Sequence, residues 1–202
     1  MADGKVMPEE GRRLLLTKAG APNTIEIGTY SPESPAAGEV RIRTAFAGIN
    51  FADLMMRLGL YQPRPPYPFT PGYELSGHID ALGEGVTGFE LGQAVVAGVT
   101  GGAQQTHVCL PASQTFALPD GVSLEQAAAM PVTHMTAWHM LVHLANLQPG
   151  QSVLIHGAAG GVGTAALQIC RIKGAGLVLG TCSGHKSDVV EANGGVAIDR
   201  YN

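Results

Sequence analysis

Between Ser152 and Lys173 the chain reads SVLIHGAAGGVGTAALQICRIK. A short apolar run, Val153-Leu154-Ile155, is followed by glycines three apart at Gly157, Gly160 and Gly163. Apolar residues then recur at helical spacing (Val162, Ala165, Ala166, Ile169, Cys170), and Lys173-Gly174 closes the segment with helix-end chemistry. This predicts a strand, a glycine turn and a helix. Such a turn lets the backbone approach a pyrophosphate while the helix N-terminus faces its charge. The spacing is G-x-x-G-x-x-G, with Ala158 where the commoner fingerprint has its first glycine. A glycine pattern alone is weak; the flanking strand and helix give it weight. The expected cofactor contacts are Ala158, Gly160, Gly161, Val162 and Gly163. A tight turn that binds nothing is the alternative.

Past this unit, Leu177–Cys182 predicts a second strand, Ser187–Ala192 a short helix and Val196–Asp199 a third strand. The sum is β-α-β-α-β, the first half of a doubly wound parallel sheet. No acid stands between Thr164 and Ser187, where an NAD-specific fold places one for the ribose hydroxyl. Ser183 and Lys186 stand there instead, a hydroxyl and a cation suited to a 2′-phosphate. This favours NADPH, unless Lys186 is only a solvated surface lysine.

Upstream, residues 12–120 predict a β-rich, partly closed barrel. Arg12–Thr17 and Glu39–Ala47 read as strands, the second with clear alternation. A further strand pair is expected around Gly83-Glu84-Gly85, followed by Gln93–Val99 and Gln105–Leu110. One helix interrupts them, with Asn50 as N-cap, Asp53 three residues on and Gly59 just past its end. The loop Tyr61–Gly72 carries five prolines and is stiff. It either braces a long connection or holds side chains in a cleft. Ser123 and Gln126 form a capping box for a helix over Leu124–Met130 that Pro131 stops. A second helix over Val132–Ala145 places Met135, Trp138, Leu141 and Val142 on one face. The expected division is a β-rich domain over 1–130 and a dinucleotide-binding domain over 131–202, with the boundary in the stretch 125–150.

The chain is 45% hydrophobic and only 14% charged, with a net charge of −4 and no basic block. That excludes a disordered binder and gives no footprint for nucleic acid or an anionic membrane. Cys109, Cys170 and Cys182 are far apart and odd in number, which suggests a reducing compartment, with Cys109 and Cys170 as small buried apolar residues. The first residues, MADGKVMPEEGRR, have acids and no apolar core, and no run is long enough to span a bilayer. The expected location is cytoplasmic.

Five stretches in this order resemble the medium-chain dehydrogenase/reductase superfamily: AGINFADLMMRLGLY (47–61), PFTPGYELSG (68–77), ALGEGVTGFELGQAV (81–95), LQPGQSVLIHGAAGGVG (147–163) and GTCSGHK (180–186). The match is to its zinc-free quinone-oxidoreductase-like branch, and within that to the vesicle amine transport homologues. The resemblance implies a GroES-like barrel followed by a Rossmann-type unit. Zinc members hold their metal at places that fall here on Asn50, Tyr73 and Val132, a set unsuited to zinc.

The resemblance further implies hydride transfer from NADPH to a quinone or an α,β-unsaturated carbonyl, with Asn50, Tyr61 and Thr136 lining the cleft. Each has a plainer alternative: Asn50 a helix cap, Tyr61 a packed loop residue, Thr136 core. The other functional class left open is a non-catalytic nucleotide- or lipid-binding module on the same fold. Family members also use a tyrosine just after the third strand; Arg200 holds that place here and Tyr201 follows. His139 and His143 have metal-pair spacing on the helix that also carries His134, but a solvated face is the reading preferred. Met55-Met56 reads as core rather than a soft-metal site. The chain reads as a fragment of a longer reductase, inactive alone, whose full-length parent the family allows as a homodimer.

Overall fold

The computed structural model describes residues 10–62 and 64–201. The acidic start of the chain and Pro63 of the proline loop lie outside them. The chain divides into two compact units, Met1–Pro131 and Val132–Asn202, each with its own core.

In the first unit, β1 (Gly11–Leu16) and β2 (Ile25–Tyr30) form an antiparallel hairpin. A curled antiparallel sheet follows, built from β3 (Glu39–Ala47), β4 (Glu74–Leu82), β5 (Ala94–Gly98), β6 (His107–Pro111) and β7 (Thr115–Ala117) in the order β6-β3-β4-β5-β7. Its concave face is the core. Val40 and Ile42 of β3 alternate inward to meet Leu75, Ile79, Val95 and Leu110. Arg41, on the opposite face, pairs with Asp80 at 2.8 Å.

Two expectations change here. β2 carries no sequence signal because Ile25 and Ile27 point outward and no apolar face shows. The strand expected just after Gly85 does not form. Residues 86–93 turn instead, with Glu90 N–H donating to Gln93 Oε1 at 3.0 Å, while Val86 and Phe89 still pack on the core.

α1 (Phe51–Arg57) follows β3, and Gly59 just beyond it takes φ +74°, a left-handed turn that glycine adopts without a Cβ penalty. Met56 sits in a second small core with Leu16 and Phe69. The proline loop is fastened to that core. Phe69 and Leu16 exchange backbone hydrogen bonds at 2.9 and 3.1 Å, and Tyr67 Oη donates to the Met56 carbonyl at 3.0 Å. α2 (Leu124–Ala128) is started by the capping box of Ser123 and Gln126, at 3.2 and 3.1 Å, and ends two residues earlier than expected. Cys109 is half-buried rather than buried, its thiol donating to the Glu33 carbonyl. Cys170 is fully buried, as expected.

α2 ends before Pro131, and α3 (Pro131–Trp138) begins on that proline, one residue earlier than expected, since proline is tolerated in the first turn. It continues as a π-helical stretch over His139–Leu144. The residue facing inward is Ala137, whereas Met135 is 65% and Trp138 42% exposed, so the expected apolar face does not form as one stripe. The wider turn displaces Leu141 and Val142 from the 3.6-residue register.

β8 (Val153–His156), α4 (Gly161–Ile172), β9 (Val178–Cys182), α5 (Ser187–Ala192) and β10 (Val196–Asp199) complete the second unit. The three strands are parallel in the order β10-β9-β8. Leu167, Cys170, Cys182 and Val190 fill the space between sheet and helices. No helix among the described residues is long and apolar enough to cross a membrane.

Candidate functional site

In the first unit the polar residues gather where α1 leaves β3. Asn50 is the N-cap of α1, and its backbone N–H donates to Asp53 Oδ2 at 2.8 Å. Its side chain also reaches beyond the helix: Nδ2 donates to Glu74 Oε1 at 2.7 Å. Asp53 Oδ1 accepts from the Gly72 N–H at 3.0 Å, so one carboxylate ties the start of α1 to the end of the proline loop. Both acids are buried, Asp53 at 6% exposure and Glu74 at 2%. Burial pushes the Asp53 carboxyl up from its ordinary 3.8, against the lowering pull of its two N–H donors. Gly48 makes room for Glu74: a Cβ there would lie within van der Waals contact distance of its carboxylate, closing on Oε1 itself.

Tyr73 donates to Met56 Sδ at 3.5 Å. Its phenol is pushed above its ordinary value by burial first, then by Tyr61 and Asp53 nearby. Tyr61 is 39% exposed. Asn50, Tyr61, Tyr73, Asp53 and Glu74 thus share one neighbourhood. Glu74 and Asp53 were not picked out as site residues from sequence. An acid in a strand register otherwise filled by buried residues was the available signal. Asn50 and Tyr73 offer an amide and a phenol, already engaged by Glu74 and Met56, and do not fit a zinc site. Thr136 lies in the other unit and is exposed on α3, so it is not core.

In the second unit the glycines of the turn have different work. Gly157 takes φ +66°. Gly160 is the N-cap of α4 and has no side chain to occupy the helix start. A Cβ at Gly163 would meet the Gly157 carbonyl oxygen at 2.5 Å and Ala158 Cα at 2.6 Å. Helix and turn therefore approach more closely than any side chain permits. A cleft of about 460 Å³ is lined by Gly157, Gly160, Gly161, Val162 and Gly163 together with β8. Ala158 is the exception: it is fully buried, its N–H donating to the Thr181 carbonyl at 2.9 Å, and contributes packing rather than lining. An uncapped helix start above a glycine cradle fits a dinucleotide pyrophosphate.

The second βα turn holds Ser183 and Lys186, with Lys186 N–H donating to the Ser183 carbonyl at 2.8 Å and its side chain exposed. Sequence counting missed a neighbour. Asp199, at the end of β10, brings its carboxylate against Gly184, where an added Cβ would meet Oδ2 at 2.6 Å. It arrives from the next strand in space, which spacing along the chain does not reveal. Tyr201 N–H donates to Asp199 Oδ1 at 3.1 Å, and Arg200 lies 4.7 Å from the Tyr201 ring centroid. His134 is not on a solvated face. Its ring bridges Thr133 Oγ1 and Gln168 Oε1 at 3.1 Å each. His139 and His143 are exposed, their ring centroids 5.7 Å apart.

The alcohol dehydrogenase GroES-like domain family matches residues 36–138. The synaptic vesicle membrane protein VAT-1 homolog of Rattus norvegicus is 43% identical over 185 residues, 91% of this chain and 46% of the relative. The chain spans about half the length of such curated relatives, 46–47% for the first three. Among solved structures, the human synaptic vesicle membrane protein VAT-1 homolog-like protein superposes with a TM-score of 0.89 at 38% identity, over 96% of this chain and 62% of that one. Escherichia coli quinone oxidoreductase complexed with NADPH superposes with a TM-score of 0.85 at 30% identity, over 95% of this chain and 59% of that one. With the barrel, the glycine cradle and the order of the two units, these likenesses show that the chain belongs to the GroES-like alcohol dehydrogenase family, in the quinone-oxidoreductase-like branch of the medium-chain dehydrogenase/reductase superfamily.

Proposed function

We propose that this chain belongs to a zinc-independent oxidoreductase that uses NADPH to reduce a quinone or an α,β-unsaturated carbonyl. The observation that carries the reading is the uncapped start of α4 over Gly157, Gly160 and Gly163. A reduced nicotinamide, when bound, supplies the hydride. The chain's own residues bind and orient. Backbone groups at Gly161, Val162 and Gly163 receive the pyrophosphate. Ser183 and Lys186 take the 2′-phosphate by hydroxyl donation and charge. Thr136 holds the nicotinamide edge, and Tyr201 adds an aromatic face beside the second turn.

On the acceptor side, Asn50 and Tyr61 supply polar hydrogens to an oxygen that gains negative charge. The bond from Asn50 to Glu74 fixes the amide in one orientation, so no rotamer search is needed when the acceptor arrives. The solved E. coli quinone oxidoreductase is an NADPH complex, which supports a nicotinamide cofactor for the branch.

The test is NADPH binding to the chain, followed by NADPH oxidation by the full-length protein with a panel of small quinones and enones. Saturable binding with turnover on at least one acceptor is expected. Binding with no turnover on any acceptor would favour a non-catalytic nucleotide-binding module, and absence of binding would overturn the cofactor assignment.

A further inference from the structure

α3 and the π-helical stretch after it bring three metal-ligating side chains to one side of the second unit. Met135, His139 and His143 stand four residues apart, and all three line a cleft of about 470 Å³ shared with Ile169 and Ile172 of α4. In an α-helix each step of four residues drifts about 40° around the axis, so the third side chain would stand well away from the first. The π turn is wider, with Ala145 N–H reaching back five residues to the Met140 carbonyl at 2.9 Å. It turns His143 back towards the column of Met135 instead of carrying it further round.

The two imidazoles meet. Their ring centroids are 5.7 Å apart and their planes are tilted by 37°, so the rings are not stacked. With imidazole–metal bonds of about 2.0–2.1 Å, two rings in trigonal coordination stand about 5.5 Å apart, centroid to centroid. Both rings are exposed and neither makes a hydrogen bond or ion pair among the described residues, so their nitrogens are open to a ligand. His134 lines the same cleft but does not serve, because its ring nitrogens are held by Thr133 Oγ1 and Gln168 Oε1 at 3.1 Å each. Met135 is 65% exposed and not packed into a core; it stands one turn before His139, and its flexible thioether can swing to the imidazoles.

We propose that Met135, His139 and His143 bind one copper(I) ion. Two imidazoles and a thioether make a soft, three-coordinate set, which suits a cuprous ion. Zinc is the poorer match. It takes imidazole, thiolate or carboxylate, usually four ligands in all, and no cysteine, aspartate or glutamate lines the cleft. Among the described residues no three His, Cys, Asp or Glu side chains gather as a metal site. The apolar walls, Trp138, Ile169 and Ile172, limit water at the ion. None of these residues lines the glycine cradle, and the site does not depend on the oxidoreductase reading.

Trp138 is the chain's one tryptophan, so its fluorescence reports on this cleft. The probe is copper(I), titrated anaerobically into the full chain against bicinchoninate, with zinc(II) as the comparison arm. Copper(I) should quench Trp138 with an endpoint at a single equivalent, and zinc(II) should bind more weakly. Met135→Leu keeps the shape and removes the thioether; it should weaken copper(I) by about tenfold or more and leave zinc(II) unchanged. His143→Gln should weaken both metals. Cys109→Ser, which removes a half-buried thiol in the other unit, should leave the quenching as it is. No endpoint at a single equivalent, tighter binding of zinc(II), copper(I) affinity unchanged in Met135→Leu or in His143→Gln, or quenching lost in Cys109→Ser would overturn the assignment.

Discussion

Asn50 donates its side-chain amide to the buried carboxylate of Glu74 across 2.7 Å, although the two are 24 residues apart. The residue whose sequence position announces a helix cap therefore also makes a tertiary contact with its side chain. Asp53 closes the capping box from the other direction. The arrangement spans β3, α1 and β4 in a single exchange.

Asn50→Ala removes one charge-assisted donor from Glu74 and should cost about 1.5–3 kcal/mol in the first unit. Asn50→Asp should cost more than Asn50→Ala, because it sets a second carboxylate against Glu74. Chemical denaturation of the two variants checks this. Equal losses in the two would mean that the side chains of residues 50 and 74 do not meet.

The Asp53 carboxyl titrates above its ordinary 3.8 when folded. The folded state therefore holds its proton more tightly than the unfolded chain. Its contribution to stability is greatest below 3.8 and declines as pH rises from there to the folded value, then levels off. Asp53→Asn gives up one of two N–H contacts, at about 1–2 kcal/mol, but loses that decline. The variant's deficit should shrink as pH rises through this window. A deficit that grows instead would show the carboxyl to be stabilised in its charged form.

Lys186→Glu places negative charge where a 2′-phosphate would sit. NADPH should weaken by about tenfold or more and NADH far less. Asp199→Asn removes a negative charge from the same turn and should move the preference further towards NADPH. Paired fluorescence titrations of the two cofactors read both effects. Equal losses for both cofactors in Lys186→Glu would remove this turn from the adenosine site.

Gly163→Ala should lower the second unit's stability by at least about 1–3 kcal/mol, because backbone atoms, not a flexible side-chain end, block the added methyl. Gly161→Ala meets only Thr133 Cγ2, at 3.1 Å, and should be far milder. Thermal melts of the two variants make the comparison; similar midpoints would mean that the close approach at Gly163 is not a constraint.

Much of the fold was legible wherever pattern and burial agree. Glu39–Ala47 alternates because one face is core, and Val153–Asp199 reads correctly because parallel strands and helices alternate with glycine stops. β2 was invisible because its isoleucines face outward. Residues 86–93 look like a strand because Val86 and Phe89 do pack inward, but from a turn. At the candidate site, local chemistry was readable and distant chemistry was not. Asn50 and Asp53 are three residues apart and show as a cap, whereas Glu74 and Asp199 reach their neighbours across strands.

The π-helical stretch over His139–Leu144 carries one consequence for how this chain tolerates change in length. Ala145 N–H reaches back five residues to the Met140 carbonyl, at 2.9 Å, where an α-helix would reach back four. Such a turn accommodates one surplus residue between fixed ends. Deleting a single exposed position there, such as His143, would convert the stretch to ordinary helix and leave Leu147 seated. The same deletion inside α4 would rotate every later side chain by about a quarter turn and scramble the contacts of Leu167 and Cys170.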